Sequence, residues 1–392
     1  MNHREDNFCR LCGECLVRCR YLGYSRKKAV AEMRKLRRGR DSEVLSKCMG
    51  CHACDAFCPY GAEPCSVILS AWHQRRKDKG IPKRAEYLLP FSRPNFRQNL
   101  PFSAGERALH EKWGSDEPPA PTVLYPGCNL LAMPLLATGE IFERLPVWGR
   151  FDLCCSEMYY RMGLFDVSQA AADRLSRFYA GKGVEEMVFI CPAGANMFQN
   201  VLPNKFGARF DFKVTHFVDW ISDRLDAGDF SVFRPLGGSV VVHDSCHARL
   251  LGAGFMERQR LLLRRLGLAV YEVPGGHGAE GLCCGMAAGC ANFSGADVVR
   301  QTTKALRSLA LSPAERTATY CGGCLLAFET VRAALPLGKP VVHVLELVRA
   351  ALGEDPPHPG PEKGRALLAG IVKNAVPGYF SLKRIFPAKF SD

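Results

Sequence analysis

The chain has 392 residues, of which 47% are hydrophobic, enough for ordinary cores in two or three domains. Its 52 Lys/Arg against 39 Asp/Glu give a net charge of +13, and residues 1–84 hold 19 of the basic residues against 9 acidic ones. Nineteen cysteines, an odd number in tight clusters behind the polar N-terminus "MNHREDNFCR", exclude a secreted disulfide framework, and no run of about 18 apolar residues offers a membrane span. The chain is therefore expected in the cytoplasm, alone or held at a membrane surface by a partner. The basic stretch "RCRYLGYSRKKAVAEMRKLRRGR" reads as a docking face for an acidic redox partner or a solvated helix, not as a nucleic-acid surface.

Residues 1–85 carry two cysteine runs of identical spacing. Cys9, Cys12, Cys15 and Cys19 are separated by two, two and three residues, and Cys48, Cys51, Cys54 and Cys58 repeat the pattern, with Pro59 following. This is the two-cluster ferredoxin pattern, in which the last cysteine of each run serves the other cluster. By that rule Cys9, Cys12, Cys15 and Cys58 hold one [4Fe-4S] cluster, and Cys19, Cys48, Cys51 and Cys54 hold the second. Zinc sites, the competing reading, use paired cysteines and not triplets with a distant fourth. Arg20 stands where a proline would follow Cys19. The intervening "SRKKAVAEMRKLRRGRDSEVLSK", with Val30, Met33 and Leu36, predicts helix, as does "SVILSAWHQRRK" after Cys65. The segment thus resembles an α-helical ferredoxin. Residues 86–122, with "LPFSRPNFRQNLP" and "DEPPAPT", read as a Pro-rich linker.

Residues 123–235 and 236–352 repeat each other. "PTVLYPGC" ending at Cys128 parallels "SVVVHDSC" ending at Cys246, Cys154-Cys155 parallels Cys283-Cys284, and "MVFICPAG" with Cys191 parallels "TATYCGGC" with Cys321. "THFVDWI" parallels "VHVLELV" in the same order. Each half alternates short buried strands with helices, so two α/β units with parallel sheets and cysteines at the strand ends are expected. "SQAAADRLSRFYAG" predicts a helix with Ser168 as N-cap and Gly181 as C-cap, and "ADVVRQTTKALRSLAL" predicts another.

In the second half, Cys246 is followed after 36 residues by Cys283-Cys284-Gly285, and after 35 more by Cys321-Gly-Gly-Cys324. Adjacent cysteines are strained as a disulfide, so another centre must hold both sulfurs. This pattern resembles the CCG cysteine-rich domain of heterodisulfide reductase catalytic subunits and glycolate-oxidase-type iron–sulfur subunits. A ferredoxin fused to two CCG repeats resembles the D-type protein of heterodisulfide reductase over roughly residues 5–350. The resemblance implies an α-helical ferredoxin domain followed by two pseudo-symmetric α/β cysteine-rich (CCG) repeats. It further implies that Cys246, Cys283, Cys284, Cys321 and Cys324 hold a non-cubane [4Fe-4S] cluster; a zinc or cubane site using four of the five is the alternative.

The first repeat departs from this pattern. Ser156 replaces the glycine after the cysteine pair, Gly194 stands where the last cysteine should be, and only 25 residues separate Cys128 from Cys154. The remaining Cys128, Cys154, Cys155 and Cys191 suit a zinc ion, a modified iron–sulfur cluster or an emptied site. Cys65 reads as a buried free thiol and Cys290 as a neighbour of the second centre. His247 and His277 are candidate proton donors or hydrogen-bonders to sulfur, against the plainer role of structural histidines at a strand end; His243 and Arg249 lie close by in sequence.

Two functions are open at this point. One is an oxidoreductase subunit carrying electrons through two [4Fe-4S] clusters to the CCG centre, which reduces or oxidises a disulfide or thiol. The other is a non-catalytic relay in a larger complex with a flavoprotein, a ferredoxin or a quinone-linked membrane subunit. Residues 353–392 form a tail whose "GYFSLKRIFPAKF" mixes Tyr379, Phe380, Phe386 and Phe390 with Lys383, Arg384 and Lys389. It reads as a strap on its own domain, with docking on a partner or membrane surface as the alternative.

Overall fold

The computed structural model describes residues 9–387, so Lys389 and Phe390 of the tail lie outside the described residues. Up to residue 80 the described chain is helical: Glu14–Val17, Arg26–Arg37, Val44–Lys47, Ala53–Ala56 and Pro64–Arg76. The single long helix suggested by "SRKKAVAEMRKLRRGRDSEVLSK" is two helices, because Gly39 turns the chain at φ 62°. Helix Arg26–Arg37 starts where the Ser25 side chain accepts from the Lys28 N–H and buries Ala29, Met33 and Leu36. Helix Pro64–Arg76 buries Ile68, Leu69 and Trp72 and ties this segment to the rest: His73 Nδ1 lies 3.0 Å from the Gly163 carbonyl, and Arg76 donates to the Ala291 carbonyl at 2.7 Å.

Two parallel sheets follow. The first has β1 (Thr122–Tyr125), β2 (Glu186–Phe189) and β3 (Lys213–His216) in the order β1-β2-β3. The second has β4 (Ser239–His243), β5 (Ala269–Tyr271), β6 (Arg316–Thr319) and β7 (Val341–His343) in the order β5-β4-β6-β7. Leaving out β5, strand follows strand in the same order in both sheets. In the first sheet the place of β5 is taken by a single parallel bridge, Leu124 to Val147. The short Cys128–Cys154 connection explains this, for it leaves too little chain for both a helix and a strand.

The strands end where the sequence places cysteines: β1 and β4 each end three residues before one, β2 and β6 two residues before one. Strands β3 and β7 run straight into helices Phe217–Asp226 and Val344–Ala351 through the N-cap residues His216 and His343. His343 Nδ1 accepts from the Leu345 N–H at 3.2 Å, so the cap needs a neutral ring. Burial holds this imidazole down to about 4, against the attraction of Glu346 and Cys321. An unfolded histidine takes up its proton near pH 6.5, so the unfolded state binds the extra proton between about pH 6.5 and 4. Stability should therefore fall by up to about 3 kcal/mol as pH drops through that window, and level off below it. The variant His343→Asn, which keeps an acceptor that does not titrate, should flatten the acid limb of an anaerobic urea-denaturation series; an unchanged limb would remove His343 from the acid response.

Two sequence expectations change here. Ser168 is not an N-cap: the helix begins at Phe165, and Ser168 is buried inside it with its hydroxyl unpartnered. Apolar Phe165 and Val167 pull the first turn into the core, which outweighs the capping preference of serine. Residues 86–122 are not a bare linker. They contain helix Ala104–Trp113, opened by a capping box between Ser103 and Glu106, and they bury Phe96, Arg97 and Leu100.

The tail packs back on the chain. Helix Gly360–Gly370 lies along helix Gly322–Ala334 at close approach; a Cβ on Gly364 would come within 2.6 Å of the Glu329 backbone. Lys363 is buried and donates to Glu106 and to the Pro101 carbonyl, joining the tail to residues 86–122. Arg384–Ile385 then pairs antiparallel with Ile81–Pro82. Among the described residues no helix is long and apolar enough to cross a membrane.

Candidate functional site

The sulfurs of Cys9, Cys12, Cys15 and Cys58 lie close enough for their charges to act on one another. Burial, and then Cys58, Cys9 and Cys12, push the Cys15 thiol up to about 12. Cys48, Cys51 and Cys19 likewise crowd one another, and Cys54 feels Cys48. Cys58 of the second run thus lies beside Cys15 of the first, and Cys19 of the first beside Cys51 of the second. Turns with positive φ at Leu11, Gly13, Gly50 and His52 curl the two runs around their thiols. Cys65 stands against the second quartet, its thiol hydrogen-bonded to Cys54 and its N–H donating to Asp55 at 2.7 Å.

In the second repeat all five cysteines of the motif come together. Cys246 lies past the end of β4, Cys283 and Cys284 precede helix Met286–Asn292, and Cys321 and Cys324 open helix Gly322–Ala334. Thiol hydrogen bonds link Cys246 to Cys283, Cys283 to Cys284, Cys284 to Cys324 and Cys324 to Cys321. Hydrogen bonds from Cys283 and Cys324 draw the Cys284 thiol down to about 5. The backbone N–H groups of Gly323 and Cys324 point at the Cys321 sulfur, where the helix N-terminus also favours negative charge. So many buried, mutually repelling thiols can all lose their protons only if soft cations replace them, so the donor set fits iron–sulfur or zinc binding.

Gly285 has the backbone this loop demands, φ 99°, and a Cβ there would sit 2.7 Å from the Val298 carbonyl oxygen and against Thr302 Oγ1. Thr302 Oγ1 donates to the Cys284 carbonyl at 2.7 Å, locking the loop. Its counterpart Ser156 takes φ 59° with a buried, unpartnered hydroxyl. Gly285→Ala should therefore cost at least about 2 kcal/mol, whereas Ser156→Gly should be neutral or stabilising by up to about 1 kcal/mol. Anaerobic denaturation midpoints check both; the reverse order would refute this account of the two loops.

Of the first half's thiols, Cys128 hydrogen-bonds Cys154 and Cys154 contacts Cys155, while the Cys191 thiol lies near enough to feel Cys128 but hydrogen-bonds Cys321 of the second half. Cys191 and Cys290 line one cavity of about 60 Å³ with Cys246, Cys284, Cys321 and Cys324.

His247 also lines this cavity. Its Nε2 lies 2.8 Å from Glu157 Oε1 and its Nδ1 3.4 Å from Asn196 Nδ2, so both nitrogens are engaged away from the sulfurs. Burial holds its ring down to about 4, so it is neutral near pH 7. His277 is not brought to the thiols; its Nδ1 faces the Val273 carbonyl at 3.1 Å, and it lines a separate cleft. The histidine that does reach them is His243, whose donor nitrogen lies within 4.8 Å of Cys284 and Cys324, and whose Nε2 is buried without a hydrogen-bond partner.

Sequence reading missed a buried cationic bridge. Arg161 donates to the Gly50 carbonyl at 2.6 Å and to Cys246 Sγ at 3.3 Å, and Glu157 pairs with it at 2.5 Å. Arg161 and Cys290 occupy the same position, six residues after the second cysteine of each pair, which is the signal that could have found it. Arg249, two residues past His247, donates to the Cys51 carbonyl at 2.8 Å and to the Gly281 carbonyl. Tyr21 Oη accepts from the Cys283 N–H at 3.0 Å. Arg97, from the supposed linker, lines the cavity and donates to Asn129 Oδ1 at 3.2 Å.

Parallel α/β sheets with thiols past their strand ends, beside groups of metal-ligating side chains, define a cysteine-rich metal-binding type of protein. Residues 240–329 match the family model of the cysteine-rich domain, CCG, so the chain carries such a domain. The chain is 24% identical over 275 residues to the EtfAB:quinone oxidoreductase of Syntrophomonas wolfei, a match covering 63% of this chain and 37% of that protein. It is 24% identical over 251 residues to the D component of the dihydromethanophenazine:CoB–CoM heterodisulfide reductase of Methanosarcina barkeri, covering 60% of each. The matches thus span 37% and 60% of the length of these relatives.

Proposed function

We propose that the chain is an electron-carrying iron–sulfur subunit in which two [4Fe-4S] clusters, at Cys9/Cys12/Cys15/Cys58 and Cys19/Cys48/Cys51/Cys54, connect to a non-cubane [4Fe-4S] centre at Cys246, Cys283, Cys284, Cys321 and Cys324. The observation that carries this reading is the hydrogen-bonded bridge, through Arg161, Arg249 and Tyr21, between the second quartet and the five-thiol group. Gly50 and Cys246 share Arg161, the Cys51 carbonyl is held by Arg249, and Tyr21, two residues past Cys19, holds the Cys283 N–H. When bound, the non-cubane centre would supply iron to a sulfur atom and single electrons to a disulfide, whose cleavage takes two.

The chain's own residues prepare the site. Arg161 places a fixed positive charge on Cys246, Glu157 orients Arg161, and His247 with Asn196 fixes Glu157. His247 is thus a positioning residue, and His277 has no part in the chemistry. His243, buried beside Cys284 and Cys324 and held neutral near pH 7 by that burial, is the group that can offer a hydrogen bond at sulfur.

A disulfide- or thiol-converting protein in the manner of heterodisulfide reductase is one outcome. A relay between a flavoprotein, ferredoxin or quinone-linked partner is the other, and the burial of Cys283, Cys284 and Cys324 to 2–3% exposure favours it. Anaerobic purification with iron, sulfide and zinc counts, followed by turnover with artificial reductant and a heterodisulfide, tests both. Iron with turnover supports the first and intact clusters without turnover the relay. Zinc with almost no iron refutes the proposal.

A further inference from the structure

The first repeat has not merely lost a cysteine; its own site has been filled. Tyr125 and Phe189 end β1 and β2, with ring centroids 5.1 Å apart, and a Cβ on Gly194 would meet Phe189 at 3.3 Å and Tyr125 at 3.5 Å. The corresponding strand-end residues of the second repeat are His243 and Thr319, which keep that position polar. Where the second repeat has Cys324, the first therefore has an aromatic wall. Cys191 is the thiol left over. Its sulfur accepts from the Gly194 N–H, as the Cys321 sulfur does from Gly323, and the two thiols face each other across the boundary between the repeats within hydrogen-bond reach. Both line the cavity that holds Cys246, Cys284 and Cys324.

We propose that Cys191 serves the second repeat's centre as a sixth thiolate and does not belong to a site of the first repeat. This rests on the reading of that centre given under the proposed function. On binding, the Cys191 S–H bond breaks, an Sγ–iron bond forms and the proton passes to solvent, which the half-buried thiol can reach; no electron changes hands. The consequence is functional. An internal thiolate would stand at the coordination position that an external thiol or disulfide sulfur would need. A protein so built would pass electrons on and not react with a small thiol, unless Cys191 is displaced.

The test uses the anaerobically prepared holoprotein. Cys191→Ser should change the EPR signal of the non-cubane centre, while Cys128→Ser should leave it unchanged. In wild type, Cys191 should resist iodoacetamide until the iron is stripped with chelator and oxidant, a readout that needs no variant to fold. Alkylation of Cys191 in the intact holoprotein, an unchanged signal in Cys191→Ser, or an equal change in Cys128→Ser would each overturn the inference. Cys246→Ser separates the two proposals. If it abolishes the signal and Cys191→Ser does not touch it, only the sixth ligand is wrong; if neither affects it, the reading of the centre falls as well.

Discussion

If the proposed assignment holds, Cys284→Ser should lose about one third of the bound iron, the share of one four-iron centre among the three proposed, and with it the signal of the non-cubane centre. The signals of the two N-terminal clusters should survive, because neither Cys quartet includes a residue beyond Cys58. The expectation follows from the position of Cys284 at the middle of the thiol chain, hydrogen-bonded to Cys283 on one side and Cys324 on the other. Serine matches its size but offers a hard, protonated oxygen where a soft thiolate is required. The loop itself should persist, since Gly285 and the Thr302 hydrogen bond to the Cys284 carbonyl do not depend on the side chain. Cys65→Ala is the control. Cys65 is 1% exposed and hydrogen-bonded to Cys54 but outside both quartets, so its loss should leave the iron count whole. Full iron in Cys284→Ser, or one third lost in Cys65→Ala, would contradict the assignment of thiols to centres.

Arg161→Ala should have the largest effect on stability. The guanidinium is 3% exposed, and its removal leaves Glu157 buried without its cation and the Gly50 carbonyl without its donor. Breaking one side of such a buried pair costs about 3–5 kcal/mol. The double variant Arg161→Ala with Glu157→Gln should recover much of that loss, because no unpaired charge then remains. The redox effect should recover only in part, because Glu157 also acts on Cys246 and its negative charge is lost with the guanidinium. A positive charge beside the Cys246 sulfur favours the more negative, reduced state of a bound centre, so its removal should lower that centre's potential in the single variant and by less in the double. Arg161→Lys keeps the charge but cannot reach Gly50, Glu157 and Cys246 together, so it should hold the potential better than the stability. Anaerobic denaturation and EPR-monitored redox titration read the two effects separately. An unchanged potential in Arg161→Ala would show that the guanidinium only fastens the segments together.

Much of this site could be read along the chain because metal-ligand chemistry is written in spacing. The identical runs at Cys9–Cys19 and Cys48–Cys58 imply an exchange of last cysteines, and Cys58 does lie beside Cys15 and Cys51 beside Cys19. The cysteines past β1, β2, β4 and β6 mark strand ends because short apolar runs stop there. Gly285 after its cysteine pair marks a left-handed turn that its cramped loop requires. Local preference failed where burial overrode it: Ser168 went into a helix interior, and Pro-rich residues 86–122 formed a buried wall carrying Arg97 to the cavity.

Sequence alone determined where the thiols cluster and that they follow short strands, because both are written in residue spacing and strand periodicity. Only the tertiary structure decided which groups meet across those segments: Arg161 between Gly50 and Cys246, and Cys191 turned toward Cys321. The reason is geometric. Contacts between segments 85 to 130 residues apart depend on how two sheets and a helical segment pack, and no local spacing encodes that packing.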